Sequence, residues 1–235
     1  MDTLGLGRLG ISIDVSPSYL DGAHELESLG FTSVWLPGGQ LDRLGRLADL
    51  VHATEKATIV PGIVPVDVYS PAQTGELFDE LEVPADHLLL AALGPKKLEM
   101  ARDRAAGAIA LLVTPEWTAQ ARGALGGSTL VVDQFVVVES DPDRARAAAR
   151  QPLSFLATVP GYRQNFLRMG FAEADVDQLS DRLIDGLVMW GSIETIASRV
   201  AEHHEAGADH VVLAPLGASS IDAGRALSEL VVSSK

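Results

Sequence analysis

The residues best suited to bind an anion lie at positions 91–97, where the sequence reads AALGPKK. This segment follows an apolar run and opens a helical pattern. Gly94 lets a ligand approach the backbone, Pro95 suits the first helical position, and Lys96 and Lys97 add positive charge. The unpaired amides and the dipole of such a helix start favour negative charge. The segment predicts a phosphate site, with an ordinary strand-to-helix turn as the alternative.

Acidic and amide side chains near strand ends are the other candidates for chemistry. Asp14 and Asp67 fall where two predicted strands end. A carboxyl group there can donate a proton or hold a hydroxyl group, although a solvated loop is the alternative. Asp133 and Gln134 lie within a later apolar run and could point into a barrel. Gln134 could bond to a cofactor ring there, or it could simply pack. The sequence assigns a catalytic role to no residue.

The histidines do not form a pattern typical of a metal site, because no set of His, Asp and Glu lies at ligand spacing. His203 and His204, near the end of a polar helix, are expected to be solvated. His87 and His210 begin strands, which is the end of a parallel barrel that contributes stability rather than catalysis. We expect no bound metal.

Composition limits the classes of partner. The chain has 235 residues, no cysteine and a formal net charge of -14. Disulfides, thiolate chemistry and binding to nucleic acid or an anionic membrane are therefore disfavoured. No apolar run is long enough to span a membrane, and the first residues lack the features of an export signal. We expect one soluble, cytoplasmic domain over residues 1–235.

Strands alternate with helices along most of the sequence. The segments between the strands show helical periodicity, with proline or hydroxyl residues at several helix starts. The predicted strands are residues 9–14, 31–36, 58–66, 87–92, 107–113, 130–139 and 210–214. This order implies parallel pairing with right-handed crossovers. We predict an α/β fold, a TIM-type (β/α) barrel that is incomplete with about seven parallel strands, rather than an open doubly wound sheet.

Residues 160–191 contain more aromatic and bulky apolar side chains than the rest of the chain, including Tyr162, Phe166 and Trp190. Helices there are predicted to break at Gly170 and Gly191. Core packing is the main interpretation, and a lid or a dimer surface is the alternative.

Four segments carry a family resemblance: GFTSVWLP at 30–37, AALGPK at 91–96, AGA at 106–108 followed by TPE at 114–116, and AGADHV at 206–211. Together they resemble the bacterial luciferase-like monooxygenase superfamily, most closely its deazaflavin-dependent (coenzyme F420) oxidoreductases. The resemblance extends from about residue 9 to residue 216.

The resemblance implies a cofactor site at the C-terminal mouth of a TIM-type barrel. Coenzyme F420, or FMN as the alternative, would bind there for hydride transfer with a small-molecule substrate. By position, Ala91, Ala92, Leu93 and Gly94 match the segment whose amides hold the cofactor phosphate, with Lys96 beside them.

The resemblance also assigns a role to the end of the third strand. Gly62, Ile63 and Val64 match a bulge that supports the cofactor ring, often with a non-prolyl cis peptide bond. After the second strand, Gly38 and Gly39 stand where family members carry an acidic residue or histidine.

Between residues 74 and 84 the family has a further strand, a helix and an insertion that this chain lacks. Three functions remain open: an oxidoreductase, a barrel that binds a flavin-type or phosphorylated ligand without catalysis, and a structural partner of a full-length homologue. The missing unit would expose apolar surface, so we also expect a homodimer.

Overall fold

The computed structural model describes residues 4–14, 16–37, 45–62 and 87–233, with the single positions Glu76, Asp79 and Glu82. The chain divides into two compact units, Met1–Leu88 with Ser219–Lys235, and Leu89–Ala218. No helix of these described residues is long and apolar enough to cross a membrane.

The first unit contains three parallel strands, β1 (Leu9–Ser12), β2 (Ser33–Leu36) and β3 (Thr58–Pro61). Ile11 is paired with Val34 and Val34 with Ile59, which places β2 between the other two strands. The helices are α1 (Tyr19–Ser28), α2 (Gly45–Ala53) and, from the end of the chain, α10 (Ser220–Ser233). Ile11, Val34 and the α1 residue Leu26 are fully buried, so apolar burial explains these elements.

The second unit is built on five parallel strands: β4 (Leu89–Ala91), β5 (Gly107–Leu111), β6 (Thr129–Val137), β7 (Met189–Trp190) and β8 (His210–Pro215). Strand β5 lies between β4 and β6, and β6 pairs with β8. The short β7 pairs with the last residues of β6.

Seven helices connect these strands. They are α3 (Pro95–Arg104), α4 (Pro115–Leu125), α5 (Pro142–Thr158), α6 (Pro160–Arg168), α7 (Glu173–Gln178), α8 (Asp181–Leu187) and α9 (Ile193–Glu205). Ser180 caps α8, and side chains cap three further helices as the sequence predicts. Thr114 accepts from the Trp117 N–H at α4, Asp141 caps α5 and Ser192 caps α9.

The packing interpretation of residues 160–191 is confirmed. Phe166, Phe171, Leu183 and Leu187 are buried in one apolar cluster, with other members from α5. Tyr162, Met169, Leu179 and Trp190 pack against this cluster and are partly buried.

All seven predicted strands are present, which confirms the prediction of about seven parallel strands. The eighth, β7, was not predicted because two residues are too few to show an apolar pattern. Several other predictions lie outside the described residues: those on Gly38, Gly39, Ile63, Val64, Asp67 and most of residues 70–86.

Candidate functional site

The predicted phosphate site is the turn between β4 and α3, hereafter the Gly94 turn (residues 91–97). Gly94 is the N-cap of α3, with φ -113° and ψ 160°, and no side chain caps the helix. Pro95 occupies the first turn and has no N–H to offer. Within the described residues, no acceptor pairs with the N–H of Leu93, Gly94 or Lys96. Three amide donors are therefore available to an anion at a positive helix end.

One predicted donor is already occupied. The Ala92 N–H donates to the carbonyl of Ile109 at 3.0 Å, which extends the β4–β5 ladder by one residue. Ala91 lies inside β4, paired with Ile109. The prediction that Ala92 donates to a cofactor is corrected accordingly, and the donors that remain are Leu93, Gly94 and Lys96.

A cation that the sequence did not indicate lies at this turn. Arg168, the last residue of α6, donates from Nη1 to the Leu93 carbonyl at 3.2 Å and to Asn165 Oδ1 at 3.0 Å. A Cβ atom built on Gly94 would lie 3.6 Å from both Nη atoms. The side chain of Arg168 is exposed, whereas Asn165, which accepts a hydrogen bond from the guanidinium, is fully buried. An anion at the free amides would therefore also meet a guanidinium, the side chain best suited to phosphate.

The end of β3 is described only in part. The Gly62 N–H donates to the Leu36 carbonyl at 2.7 Å, which continues the pairing of β2 with β3. Every peptide bond of the described residues is trans. Ile63 and Val64 lie outside those residues, so the role of this segment beneath a cofactor ring stays a prediction.

Asp133 is an acid near the middle of β6 whose side chain is partly buried. Its Oδ1 atom is shielded from solvent and has no hydrogen-bond partner. Burial raises the pKa of Asp133 to about 7, because a carboxylate loses its hydration there. Burial, and to a smaller extent the charge of Asp133, also raises the pKa of Tyr162 to about 12. Near neutral pH the carboxyl group is thus divided between its acid and base forms.

Gln134 points to the other face of the sheet, because successive side chains of a strand alternate. Its Nε2 atom donates to the Val113 carbonyl and lies 3.3 Å from His203 Nε2. The packing alternative for Gln134 is therefore confirmed and contact with a cofactor ring is not, since Gln134 belongs to a buried network with α9. His203 is also fully buried, so the prediction that it is solvated is wrong.

The tautomer of His203 follows from its neighbours. The Thr118 hydroxyl donates to the Thr114 carbonyl at 3.1 Å, so it accepts from His203 Nδ1–H at 2.9 Å. The Nε2 atom then accepts from the Gln134 amide. Protonation of Nε2 would place two donors, Nε2–H and the Gln134 amide, against each other. Burial and the charge of Arg199 also oppose protonation, and they lower the pKa of His203 to about 3.

Acid should therefore weaken the fold through His203. Its folded-state pKa is lower than its ordinary value, so the unfolded chain binds more protons between about pH 6.5 and pH 3. Stability is lost as the pH falls through that window, by about 2 to 3 kcal/mol between pH 7 and pH 4. We expect the loss to be smaller by this amount in His203→Gln, measured by guanidinium unfolding at both pH values. The exposed His24→Gln is the control, and equal losses in all three proteins would contradict the assignment.

Asp14 has a structural role at the start of α10. Its backbone N–H donates to Ser220 Oγ at 2.8 Å, and its Oδ2 atom accepts from the Ser220 N–H at 3.4 Å. The carboxylate at this helix start explains why an acid follows β1. Its predicted role as a proton donor stays untested.

A pocket of about 430 Å³ lies at the start of α9, lined by residues that include Asp185, Trp190 and Arg199. Asp185 accepts from Arg146 Nη2 at 2.7 Å and from Trp190 Nε1 at 2.9 Å. Arg199 donates to the Gly186 carbonyl at 3.2 Å. Asp185 and Trp190 are thus bonded within the protein, whereas the buried Nε atom of Arg199 has no hydrogen-bond partner among the described residues.

No protein-family model and no curated protein sequence matches the chain. Solved structures do match it, over nearly the whole length. The coenzyme F420 dependent tetrahydromethanopterin reductase from Methanopyrus kandleri has a TM-score of 0.72 at 13% identity, with 97% of this chain and 99% of that one covered. An F420-dependent secondary alcohol dehydrogenase, solved with an F420-acetone adduct, has a TM-score of 0.69 at 14% identity over 97% and 99%. The EDTA monooxygenase EmoA from Chelativorans sp. BNC1 has a TM-score of 0.60 at 12% identity over 97% and 93%.

At these identities the similarity shows the fold. The fold is the predicted one, an α/β, TIM-type (β/α) barrel that is incomplete with about seven parallel strands. The similar structures include F420-dependent enzymes and a monooxygenase, the classes to which the sequence motifs pointed.

Proposed function

We propose that the chain is an oxidoreductase of the luciferase-like type that uses coenzyme F420, with FMN as the alternative, for hydride transfer to or from a small molecule. The observation that carries this proposal is the Gly94 turn, where free amides and the Arg168 guanidinium meet at the start of α3. Two of the similar structures are F420-dependent enzymes, a reductase and an alcohol dehydrogenase, which supports the choice of cofactor class.

The residues that would hold the cofactor phosphate are Leu93 and Gly94 through their N–H groups, Lys96 through its N–H and its charge, and Arg168 through its guanidinium. The cofactor, when bound, supplies the hydride chemistry, and the protein supplies orientation and electrostatics. Since the chain as a whole is acidic, the cationic groups must act locally, which is the arrangement at this turn.

Binding of a flavin-type ligand without turnover is the second candidate, because Gly38 and Gly39 replace the polar group that the related enzymes place near the ring. A homodimer and a cytoplasmic location belong to the same proposal. Light scattering at high protein concentration tests the dimer, and monomeric behaviour would remove it.

Fluorescence titration with F420 and with FMN tests the cofactor proposal. We expect the parent protein to bind one of them, and Arg168→Ala to raise its Kd about tenfold, since a hydrogen bond to a charged group contributes about 1.5 kcal/mol or more. Arg104→Ala, at the opposite end of α3, makes the same charge change away from the site and should leave Kd within about twofold. A parent protein that binds neither cofactor would overturn the proposal.

A further inference from the structure

Asp133 lies on the face of the second-unit sheet that is opposite to Gln134 and α9. Leu111 on β5 and Val212 on β8 are its paired neighbours. They are apolar, so Asp133 interrupts an otherwise apolar row. The carboxyl group does not serve as a cap, an ion-pair partner or a link to a helix among the described residues. A buried polar atom without a partner costs free energy, and a structural role does not explain why it is present.

The register fixes the separation between this carboxyl group and the Gly94 turn. Ala91 pairs with Ile109, and continuing that register brings Leu93 level with Leu111 and Asp133. Two strand spacings then separate Leu93 from Asp133, on the order of 10 Å between backbones. The polyol chain of a deazaflavin or flavin separates its phosphate from its ring. A group that exchanges protons at the ring end must therefore be remote from the phosphate amides, as Asp133 is.

We infer that Asp133 is the proton donor and acceptor of this site, acting on a substrate with a polarised C=O or C=N bond. The inference rests on the proposed function. A hydride brings two electrons to the carbon atom and leaves the negative charge on the oxygen or nitrogen. The proton of the Asp133 carboxyl group moves to that heteroatom, and Asp133 becomes a carboxylate that solvent protonates again. In the oxidative direction the carboxylate takes the hydroxyl or amine proton while the hydride leaves.

The groups around Asp133 suit this exchange. Tyr162 on α6 is the titratable neighbour whose own pKa responds to the Asp133 charge, and it stays protonated over the working range. His210 is two residues before Val212 on β8, on the same face. Among the described residues, no Lys or Arg forms an ion pair with Asp133, so no cation holds it permanently ionised. Burial alone accounts for its raised pKa, which keeps a transferable proton near neutral pH.

Asp133→Asn tests the inference, because it keeps the shape of the side chain but carries no exchangeable acid proton. The exposed Asp177→Asn makes the same charge change on α7 and is the control. The first readout needs no cofactor: infrared difference spectroscopy should show a protonated carboxyl band that titrates near pH 7 in the parent and in Asp177→Asn, and is missing in Asp133→Asn.

The second readout is the single-turnover rate with reduced F420 or reduced FMN and three probes, cyclohexanone, benzaldehyde and 2-methyl-1-pyrroline. We expect the parent to reduce at least one probe, with a rate that falls above about pH 7. Asp133→Asn should react about 100-fold to 10,000-fold more slowly and without that pH dependence, while its cofactor Kd stays within about twofold.

The outcomes separate the two proposals. If the parent binds neither cofactor, the proposed function fails and this inference fails with it. If the parent binds a cofactor but reduces no probe, or if Asp133→Asn keeps the parental rate and pH profile, the inference alone is overturned.

Discussion

Gly94→Glu is expected to raise the Kd for the cofactor that the parent binds, F420 or FMN, at least about 100-fold, which corresponds to about 3 kcal/mol. The added carboxylate would lie next to Arg168, because a Cβ atom on Gly94 already lies 3.6 Å from its Nη atoms. It would pair with the guanidinium and place a negative charge against the free amides. The variant would therefore occupy the anion site with its own side chain.

Gly94→Ala distinguishes charge from bulk as the cause. The φ value of Gly94 is -113°, which an alanine adopts without strain, and the new methyl group would make ordinary contacts. We expect a change in Kd of less than about fivefold for Gly94→Ala, and also for Lys96→Ala, because an exposed ion pair contributes about 1 kcal/mol or less. Isothermal titration measures all three variants, with circular dichroism to establish that each is folded. A folded Gly94→Glu with the parental affinity would show that the segment is only a turn.

Gly107→Ala is expected to have the largest effect on stability. Gly107 begins β5, and a Cβ atom there would lie 1.9 Å from the backbone oxygen of Thr129 on β6. Backbone atoms of a paired strand cannot turn aside as a flexible side chain can, so the pairing of β5 with β6 must open. We expect a loss of about 3 kcal/mol or more in the free energy of unfolding, or no folded protein.

Gly123→Ala is the matched control for that variant. Gly123 is exposed inside α4, with no atom within 4 Å of the position of an added Cβ. Because alanine favours the helix, we expect Gly123→Ala to gain about 0.5 to 1 kcal/mol. Denaturant unfolding compares both variants with the parent. A Gly107→Ala protein as stable as the parent would contradict the described pairing of β5 with β6.

The strands were predictable because parallel strands buried on both faces show continuous apolar runs. The run at 130–139 became β6, and Asp133 stood out within it as a charge where only apolar residues were expected. Trp190 was recognised as a core residue, but the strand β7 that contains it was not. Within the described part of the chain its two residues pair with Val136 and Val137 alone, so tertiary contact decides its conformation.

Helical spacing could have placed His203 correctly. Ile196, Val200 and His203 lie four and three residues apart on the buried face of α9. The polar neighbours of His203 favour solvent exposure, whereas its position relative to Ile196 and Val200 indicates the core. Its partner Gln134 is distant in sequence, and no local pattern could reveal their contact.

Arg168 shows the limit of local patterns more clearly. It is 75 residues from Leu93, whose carbonyl it contacts, and nothing in its neighbourhood marks it as an anion ligand. An indirect indication of an anion site lies in the Gly94 turn instead. Helix α3 begins with Gly-Pro and has no side-chain cap, so its first amides need an external acceptor. The free amide donors could thus be predicted from the sequence. The contribution of Arg168 could be seen only in the folded structure.

The most direct measurement compares the affinity of the protein for FMN with its affinity for riboflavin, which differs only in lacking the phosphate. If the Gly94 turn and Arg168 hold the phosphate, the parent should bind FMN at least about 100-fold more tightly than riboflavin, and Arg168→Ala should reduce this ratio about tenfold while its riboflavin affinity is unchanged. Equal affinities for FMN and riboflavin in the parent, or the same ratio in Arg168→Ala, would contradict a phosphate site at this turn.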